Sequence, residues 1–93
     1  MTTYLATFVV KGRQSDTEAI NSAVSMLDFM PLAQASNMHV FLIRSEKTHE
    51  QLATLLRECL DPNDYCRVVE HPKPVEIQDT LLDAIKWLTN TAS

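Results

Sequence analysis

Apolar positions along the chain follow two periods, and their alternation predicts the order of strands and helices. The runs 3–10 and 38–43 are apolar on both faces of an extended chain, which predicts strands covered on both sides. The segments 32–35 and 65–70 are shorter or more polar and predict strands at the edges of a sheet. Apolar stripes at a spacing of three or four residues lie between these strands and predict helices.

The predicted helices begin and end at recognisable signals. Ser15–Glu18 and Thr48–Gln51 both have the spacing of a capping box, in which two side chains satisfy free backbone N–H groups. Pro31 is predicted to end the first helix, because proline cannot donate the helical hydrogen bond. A third helix is predicted over 74–91, and its docking stripe is Leu81, Leu82, Ile85 and Leu88.

The predicted order is β-α-β-β-α-β followed by one more helix. This order is the ferredoxin-like plan of the α+β class, with a four-stranded antiparallel sheet and two helices on one of its faces. Such a plan places the first and third strands at the centre of the sheet. The whole chain, 1–93, is predicted to form one such domain, with 74–91 as an extra C-terminal helix.

Two helices cover only one face of such a sheet, so the apolar residues of the other face need a cover. Either a second copy of the chain or the C-terminal helix would supply it. We predict a homodimer, formed by that sheet face or by strand edges. The predicted interface residues are Leu5, Val9, His39 and Phe41.

Length and composition limit the classes of function. The chain has 93 residues, of which 45% are hydrophobic and 22% charged, and its single glycine excludes a glycine-cradled phosphate loop. No apolar run approaches the roughly 18 residues of a membrane helix, and no secretory leader is visible. A cytoplasmic protein without a membrane anchor is therefore expected.

The charge balance argues against strong, unspecific binding of nucleic acid. The net charge is −4, and the eight basic residues are scattered along the sequence. Only Lys11–Arg13 and Arg44–Lys47 bring cations close together in sequence. Lys11, Arg13 and Arg44 are therefore the candidates for weak nucleic-acid binding, and a protein is the other candidate partner.

No catalytic constellation is visible in residue types and spacing, and neither a cofactor nor a metal site is predicted from them. His39 lies among apolar strand residues and is expected in the core or an interface. Asp61 and Asp64 are expected to form a turn, with cation binding as the alternative. Cys59 and Cys66 are expected to be reduced core thiols, with a disulfide as the alternative.

Three stretches carry a resemblance to a known group of proteins. They are 3–8 (Thr-Tyr-Leu-Ala-Thr-Phe), 38–43 (Met-His-Val-Phe-Leu-Ile) and 60–69, which begins Leu-Asp-Pro-Asn-Asp. Together with Trp87-Leu88, they are similar to the small SinR-like proteins, which belong with the VapD toxins and the small CRISPR adaptation subunit of nuclease fold. The resemblance implies a ferredoxin-like homodimer from a mobile-element, toxin or defence context. Some members of this group cleave RNA or DNA with a divalent metal.

The chain departs from this group at the position that cleavage requires. Members that cut nucleic acid resemble one another in an aspartate at the end of strand one, and that position is Val9, which offers no metal ligand. The first hypothesis is therefore a non-catalytic homodimer that binds a protein or nucleic acid. The second is a metal-dependent nuclease whose acid is Asp16 or the pair Asp61 and Asp64. The third is a small adaptor or ligand-sensing domain.

Overall fold

The structure, a computed structural model, describes residues 1–11, 14–35, 37–62 and 64–92, without the side chains of residues 84, 85 and 87–92. The described residues form four strands and three helices in the order β-α-β-β-α-β-α. The elements are β1 Thr2–Val9, α1 Gln14–Ser25, β2 Asp28–Gln34, β3 Met38–Ser45, α2 His49–Glu58, β4 Tyr65–Glu70 and α3 Pro74–Ala92.

The four strands form one antiparallel sheet in the order β2-β3-β1-β4. The inner strands are β1 and β3, as their two apolar faces predict, and they pair along their whole length from Thr2 opposite Ser45. The outer strands are β2 and β4, the two that are shorter or more polar in sequence. The described fold is therefore α+β with a four-stranded antiparallel sheet.

The first helix, α1, differs from its prediction at both ends. It begins at Gln14, so Ser15 lies inside the first turn and not at the cap position, and it ends at Ser25. Pro31 does not end this helix, because it lies within β2, where the pairing with β3 shifts register between Pro31 and Ala33. An edge strand tolerates proline, since one side of its backbone has no ladder partner.

The second helix, α2, has the predicted capping box. The Thr48 hydroxyl accepts a hydrogen bond from the Gln51 N–H at 3.2 Å, and the Gln51 Oε1 accepts one from the Thr48 N–H at 3.0 Å. Leu52, Ala53 and Leu56 are buried against the sheet. The capping box therefore fixes the start of α2 just before the apolar stripe that packs into the core.

The main core lies between the sheet and the layer formed by α1 and α2, on the side that we name the covered face. Phe41 meets Phe8 and Phe29 edge to face, with ring centroids 5.9 Å apart in each pair. The buried Tyr4 hydroxyl donates to the Lys47 carbonyl at 2.7 Å. The buried members of this core are Tyr4, Ala6, Phe8, Val10, Ile20, Ala23, Val24, Phe41, Ile43, Leu52 and Leu56.

The third helix, α3, crosses the opposite side of the sheet, which we name the second face. Ile77 packs against a smaller buried cluster formed by Leu5 and Val40, and the helix lies against β2 and β3. His71 turns the chain out of β4 with a φ of 50°. Histidine is one of the residues enriched in this left-handed region. The residue at this position is therefore compatible with the turn that directs α3 across the second face.

The predicted docking stripe of α3 is only partly correct. Leu81 is half-buried, but Leu82 is 48% exposed and does not dock. The side chains of Ile85 and Leu88 lie outside the described set. Among the described residues, the contact that anchors α3 comes one turn earlier, from Ile77.

Candidate functional site

A groove lies on the second face beside α3, over β1 and β4. Its volume is about 330 Å³. The floor comes from the strands, and its residues are Leu5, Thr7, Val9, Met38, Tyr65, Arg67 and Val69. One wall comes from α3, through Glu76, Asp79, Thr80 and Asp83. The groove therefore combines a largely apolar floor with an acidic wall.

Strand alternation explains why these floor residues share one surface. Successive side chains of a strand point to opposite faces, so every second residue of β1 and of β4 reaches the second face. The register places Leu5 opposite Val69 and Val9 opposite Tyr65. Tyr65 is 52% exposed, which leaves its ring free to contact a molecule in the groove.

The wall carries three carboxylates, Glu76, Asp79 and Asp83, which we name the acidic row. Spacings of three and four residues place them on one side of a helix. Glu76 accepts a hydrogen bond from the Lys73 N–H at 3.3 Å, near the positive end of the helix dipole. No cation forms a salt bridge with any of the three within the described part of the chain. The row is therefore a negative surface that has no partner charge among the described residues.

Exposed apolar side chains lie at the start of the outer strand β2 and in the turn before it. Met26, Phe29 and Met30, which we name the edge patch, are 75%, 39% and 59% exposed. Phe29 packs on Phe41 of the covered face and Met30 lies opposite Leu42 of the second face, so the patch lines both sides of this rim of the sheet. Exposed apolar side chains of this size are typical of a contact surface. Beyond them, Pro31 and the register shift protect the rest of this edge from pairing.

The other outer strand, β4, is protected differently. The His49 Nε2 lies 2.7 Å from the Val68 carbonyl oxygen and donates to it, because a carbonyl can only accept. A side chain of α2 therefore occupies an acceptor on the backbone of β4. This contact makes β4 a poorer template for another strand than an edge with free backbone groups.

The described residues do not bring the predicted basic candidates together. Arg44 pairs with Thr3 at one end of β1, whereas Lys11 follows the other end. The two cations therefore lie about 26 Å apart along the strands. The Arg44 guanidinium also forms a 2.8 Å salt bridge with Asp28. Arg13, the third candidate, lies outside the described residues.

The four predicted interface residues lie on two different faces. Leu5 and Val9 are on the second face, with Leu5 buried beside Ile77 and Val9 in the groove. His39 and Phe41 are on the covered face and are 2% and 0% exposed. This placement corrects the prediction for His39 and Phe41, because a side chain buried inside one copy offers no surface to a second.

The buried His39 is unusual because neither of its ring nitrogens has a hydrogen-bond partner among the described residues. Its ring stacks on Phe41 with an interplanar angle of 4° and centroids 6.4 Å apart. Burial lowers the pKa of His39 below its ordinary value. The imidazole is therefore neutral at pH 7, and its burial separates it from any solute that would need a base.

Three aspartates converge where α1 begins and the chain enters β4. Asp16, Asp61 and Asp64 each place a carboxylate oxygen within 4.8 Å of the others. Oxygen donors of this kind suit Mg²⁺ or Ca²⁺. Asp64 also accepts a hydrogen bond from the Asp61 N–H at 3.2 Å, and its own N–H donates to the Asp61 carbonyl at 3.0 Å. The predicted turn is thus confirmed, and the approach of Asp16 to it is a tertiary feature.

The metal position of the resembled nucleases does not fit the residues at the end of β1. Val9 lies in the groove, and its neighbours Phe8 and Val10 are buried on the covered face. None of these three side chains has an oxygen, so this position holds no ligand for a divalent ion. A metal-dependent reaction would have to use carboxylates elsewhere in the chain.

The two cysteines are free and pack against the main core, as predicted. Burial raises the pKa of the Cys66 thiol to about 11 and also raises the pKa of Cys59. A thiol with a raised pKa holds its proton at neutral pH and is a weak nucleophile. These residues are structural.

The acidic row is the feature of the groove that sequence reasoning missed. The signal was present, because Glu76, Asp79 and Asp83 follow one another at helical spacing. Spacing alone does not tell which surface such a row faces. The row faces the floor of the groove because α3 crosses the second face after the turn at His71.

No helix in the described residues is both long enough and apolar enough to cross a lipid bilayer. No known protein family matches the chain, and no curated protein matches it in sequence. The similarity to the SinR-like group therefore stays a prediction.

Proposed function

We propose that the chain is a non-catalytic homodimer of the ferredoxin-like type that acts by binding another protein. The groove beside α3 carries the proposal, because a partly exposed and largely apolar floor suits a polypeptide partner, as does an acidic wall that forms no salt bridge among the described residues. The resemblance to the SinR, VapD and CRISPR-adaptation group supplies the setting, a mobile element or a defence system.

The order of elements supports the ferredoxin-like assignment. The first six elements follow the β-α-β-β-α-β order, with β1 and β3 inside the sheet and α1 and α2 on one face. We interpret α3 as an addition that follows the complete unit and crosses the face that the unit leaves open.

The placement of charge favours a protein over nucleic acid as the partner. Phosphate binding depends on clustered cations, and Lys11 and Arg44 lie at opposite ends of the sheet. The groove presents the acidic row, which would repel a phosphate backbone. Arg67 is the one cation among the described residues that line the groove.

The edge patch of β2 is the surface that we propose for the homodimer. Its three exposed side chains lie in the turn before β2 and at the start of this outer strand, and they leave the groove over β1 and β4 open to a different partner. Light scattering at micromolar concentration should give the mass of a dimer. Met30→Glu should give a monomer, because a charge would then have to be buried against the second copy.

The matched control for this variant is Val75→Glu, which places the same charge on a residue of α3 that is 58% exposed. It should keep the dimer mass. A monomer mass for the unaltered chain, or dissociation by both variants alike, would contradict the proposed dimer.

A metal-dependent nuclease is the second candidate, because Asp16, Asp61 and Asp64 converge. The test is a titration with Mg²⁺ and Mn²⁺ on labelled single- and double-stranded RNA and DNA. The first proposal expects no cleavage. Metal-dependent cleavage that is lost in Asp61→Ala/Asp64→Ala would instead support the nuclease.

The control for the nuclease test is a second pair of aspartates, replaced in Asp79→Ala/Asp83→Ala. A true nuclease at the convergent site would retain its activity in this control. Cleavage that survives both double substitutions would come from a contaminant and would leave the non-catalytic proposal standing.

A further inference from the structure

The second face has room for one more helix beside α3. An α-helix with its side chains is about 10 Å wide and neighbouring strands are about 4.8 Å apart, so one helix covers about two strands. The covered face has two helices over four strands, whereas α3 lies against β2 and β3. Because α3 already buries Leu5, the strip that it leaves open lies over the Thr7–Val9 end of β1 and over β4, and it has about the width of a single helix.

The length of the floor sets the length of that helix. Along β4 the floor runs from Val69 to Tyr65, which is about 13 Å, and Thr7 and Val9 of β1 lie beside it. About nine residues of α-helix span this distance at 1.5 Å per residue. An apolar stripe of two to three turns would cover the open part of the floor.

The charges beside the floor determine which charged residues a partner helix would carry on each side of its apolar stripe. Glu76, Asp79 and Asp83 recur at the spacing i, i+3, i+7, and a helix lying alongside α3 would meet them with Lys or Arg at a similar spacing. Arg67, on the outer strand, faces the opposite flank and favours an acidic or neutral residue there.

The helices of the chain itself do not meet these requirements. Lys and Arg are absent from α1, and α2 and α3 have one each, Arg57 and Lys86. A second copy of α3 would also bring its own acidic row against the first. The charge pattern therefore excludes a helix of a second copy as a good occupant and favours a different protein.

We propose that the groove binds an amphipathic helix of another protein, with its apolar stripe on the floor and a row of Lys or Arg against the acidic row. This inference rests on the proposed function as far as protein binding is concerned, and it adds the site and the chemistry of the partner. It is a helix-in-groove interaction, in which the apolar anchors supply affinity and the charges orient the helix.

The probe is a synthetic helix of 14 residues, stapled by a lactam because a short free helix is marginal in water. It has leucines at i, i+3, i+4 and i+7 and lysines along one flank. A second peptide replaces the lysines with glutamates, and a third has the composition of the first without the stripe. Fluorescence anisotropy against the full-length chain should give binding of the first peptide and at least about tenfold weaker binding of the others, which corresponds to 1.4 kcal/mol.

The matched variants separate the acidic row from general negative charge. Asp79→Asn/Asp83→Asn should weaken binding of the lysine peptide about tenfold, whereas Glu18→Gln/Glu58→Gln, on the helices of the covered face, should leave it unchanged. Val9→Glu should abolish binding, and circular dichroism should show that it stays folded. Equal binding by the scrambled peptide, or no effect of the Asp79/Asp83 variant, would overturn the inference.

The outcome also distinguishes this inference from the proposed function. A dimer without nuclease activity that fails to bind the lysine peptide would overturn the helix site alone. Peptide binding in the groove by a chain that cleaves nucleic acid through Asp61 and Asp64 would overturn the non-catalytic proposal and support the helix site.

Discussion

The two faces of the sheet are built from alternate residues of the same strands, but they are covered very differently. On the covered face, α1 and α2 close a core in which Phe8, Phe41 and Leu52 are each 0% exposed. On the second face, α3 buries Leu5 and Val40 and leaves a groove over β1 and β4. Apolar residues in a strand therefore predict that a sheet face is covered by another element, but they do not predict how much of that face is covered.

The two faces also differ in what they contribute: the covered face contributes most to folding stability, and the second face offers a surface for binding. Burial of an aromatic or aliphatic side chain contributes about 1.5–3 kcal/mol, so the larger cluster on the covered face dominates the free energy of folding. The groove has a largely apolar floor that is partly exposed, and its carboxylates form no salt bridge with any described residue. It contributes less to folding and keeps its surface for a partner.

The largest expected loss of stability is found by comparing substitutions of two neighbouring residues that point to opposite faces of the sheet. Phe41→Ala should lower the free energy of unfolding by about 3–5 kcal/mol, because it removes a fully buried ring that contacts Phe8 and Phe29. Leu42→Ala, on the second face, should cost only about 1–2 kcal/mol, because Leu42 is half-buried. Urea unfolding measures both values, and equal losses would contradict the proposed difference between the faces.

The anchor of α3 should give the next effect. Ile77→Ala should lower the free energy of unfolding by about 1–2 kcal/mol, because Ile77 packs on Leu5 and Val40. Gln78→Ala, at an exposed neighbouring position of the same helix, is the control and should change little. Thermal unfolding compares the two variants, and the same small change in both would show that α3 does not depend on this contact.

Acid should destabilise the covered face through His39. Burial lowers the pKa of folded His39 below the ordinary value of 6.5, so the unfolded chain takes up the proton first as the pH falls. The stability is therefore present above pH 6.5 and is lost progressively below it, by at most about 1.4 kcal/mol per pH unit. His39→Leu should reduce this slope between pH 7 and pH 5 in urea unfolding.

The control for the pH experiment is His71→Asn, because the His71 side chain is 71% exposed. Asparagine also tolerates the left-handed backbone at this position. This variant should keep the slope of the unaltered chain. A slope that His39→Leu leaves intact would show that another group causes the pH dependence.

The smallest expected change in the free energy of unfolding comes from the N-terminal ends of α1 and α2, the two helices that close the covered face. Thr48→Ala should cost about 1 kcal/mol, because it removes the hydroxyl that accepts the Gln51 N–H in the cap of α2. Ser15→Ala should change the free energy of unfolding little, because Ser15 lies inside the first turn of α1. Thermal unfolding of both variants is the measurement, and a larger loss from Ser15→Ala would make Ser15 the true cap.

Local signals in the sequence determined most of the secondary structure. The strands over 38–43 and 65–70, the cap at Thr48 and the start of the last helix at Pro74 all follow from period, capping and turn chemistry, which act over a few residues. The error at Pro31 has a physical cause as well. Proline breaks a helix, but it is also accepted on a strand edge, and only pairing with β3 chose between them.

Which residues share a surface was decided by the tertiary structure alone. Whether Phe41 shares a face with Val9 depends on strand register, and register follows from pairing between residues that lie 29 to 43 positions apart in the sequence. The groove depends on the path of α3 after His71, and the convergence of Asp16 with Asp61 and Asp64 depends on where α1 begins relative to the turn before β4. These distances arise when distant segments pack together, and local residue preferences do not encode them.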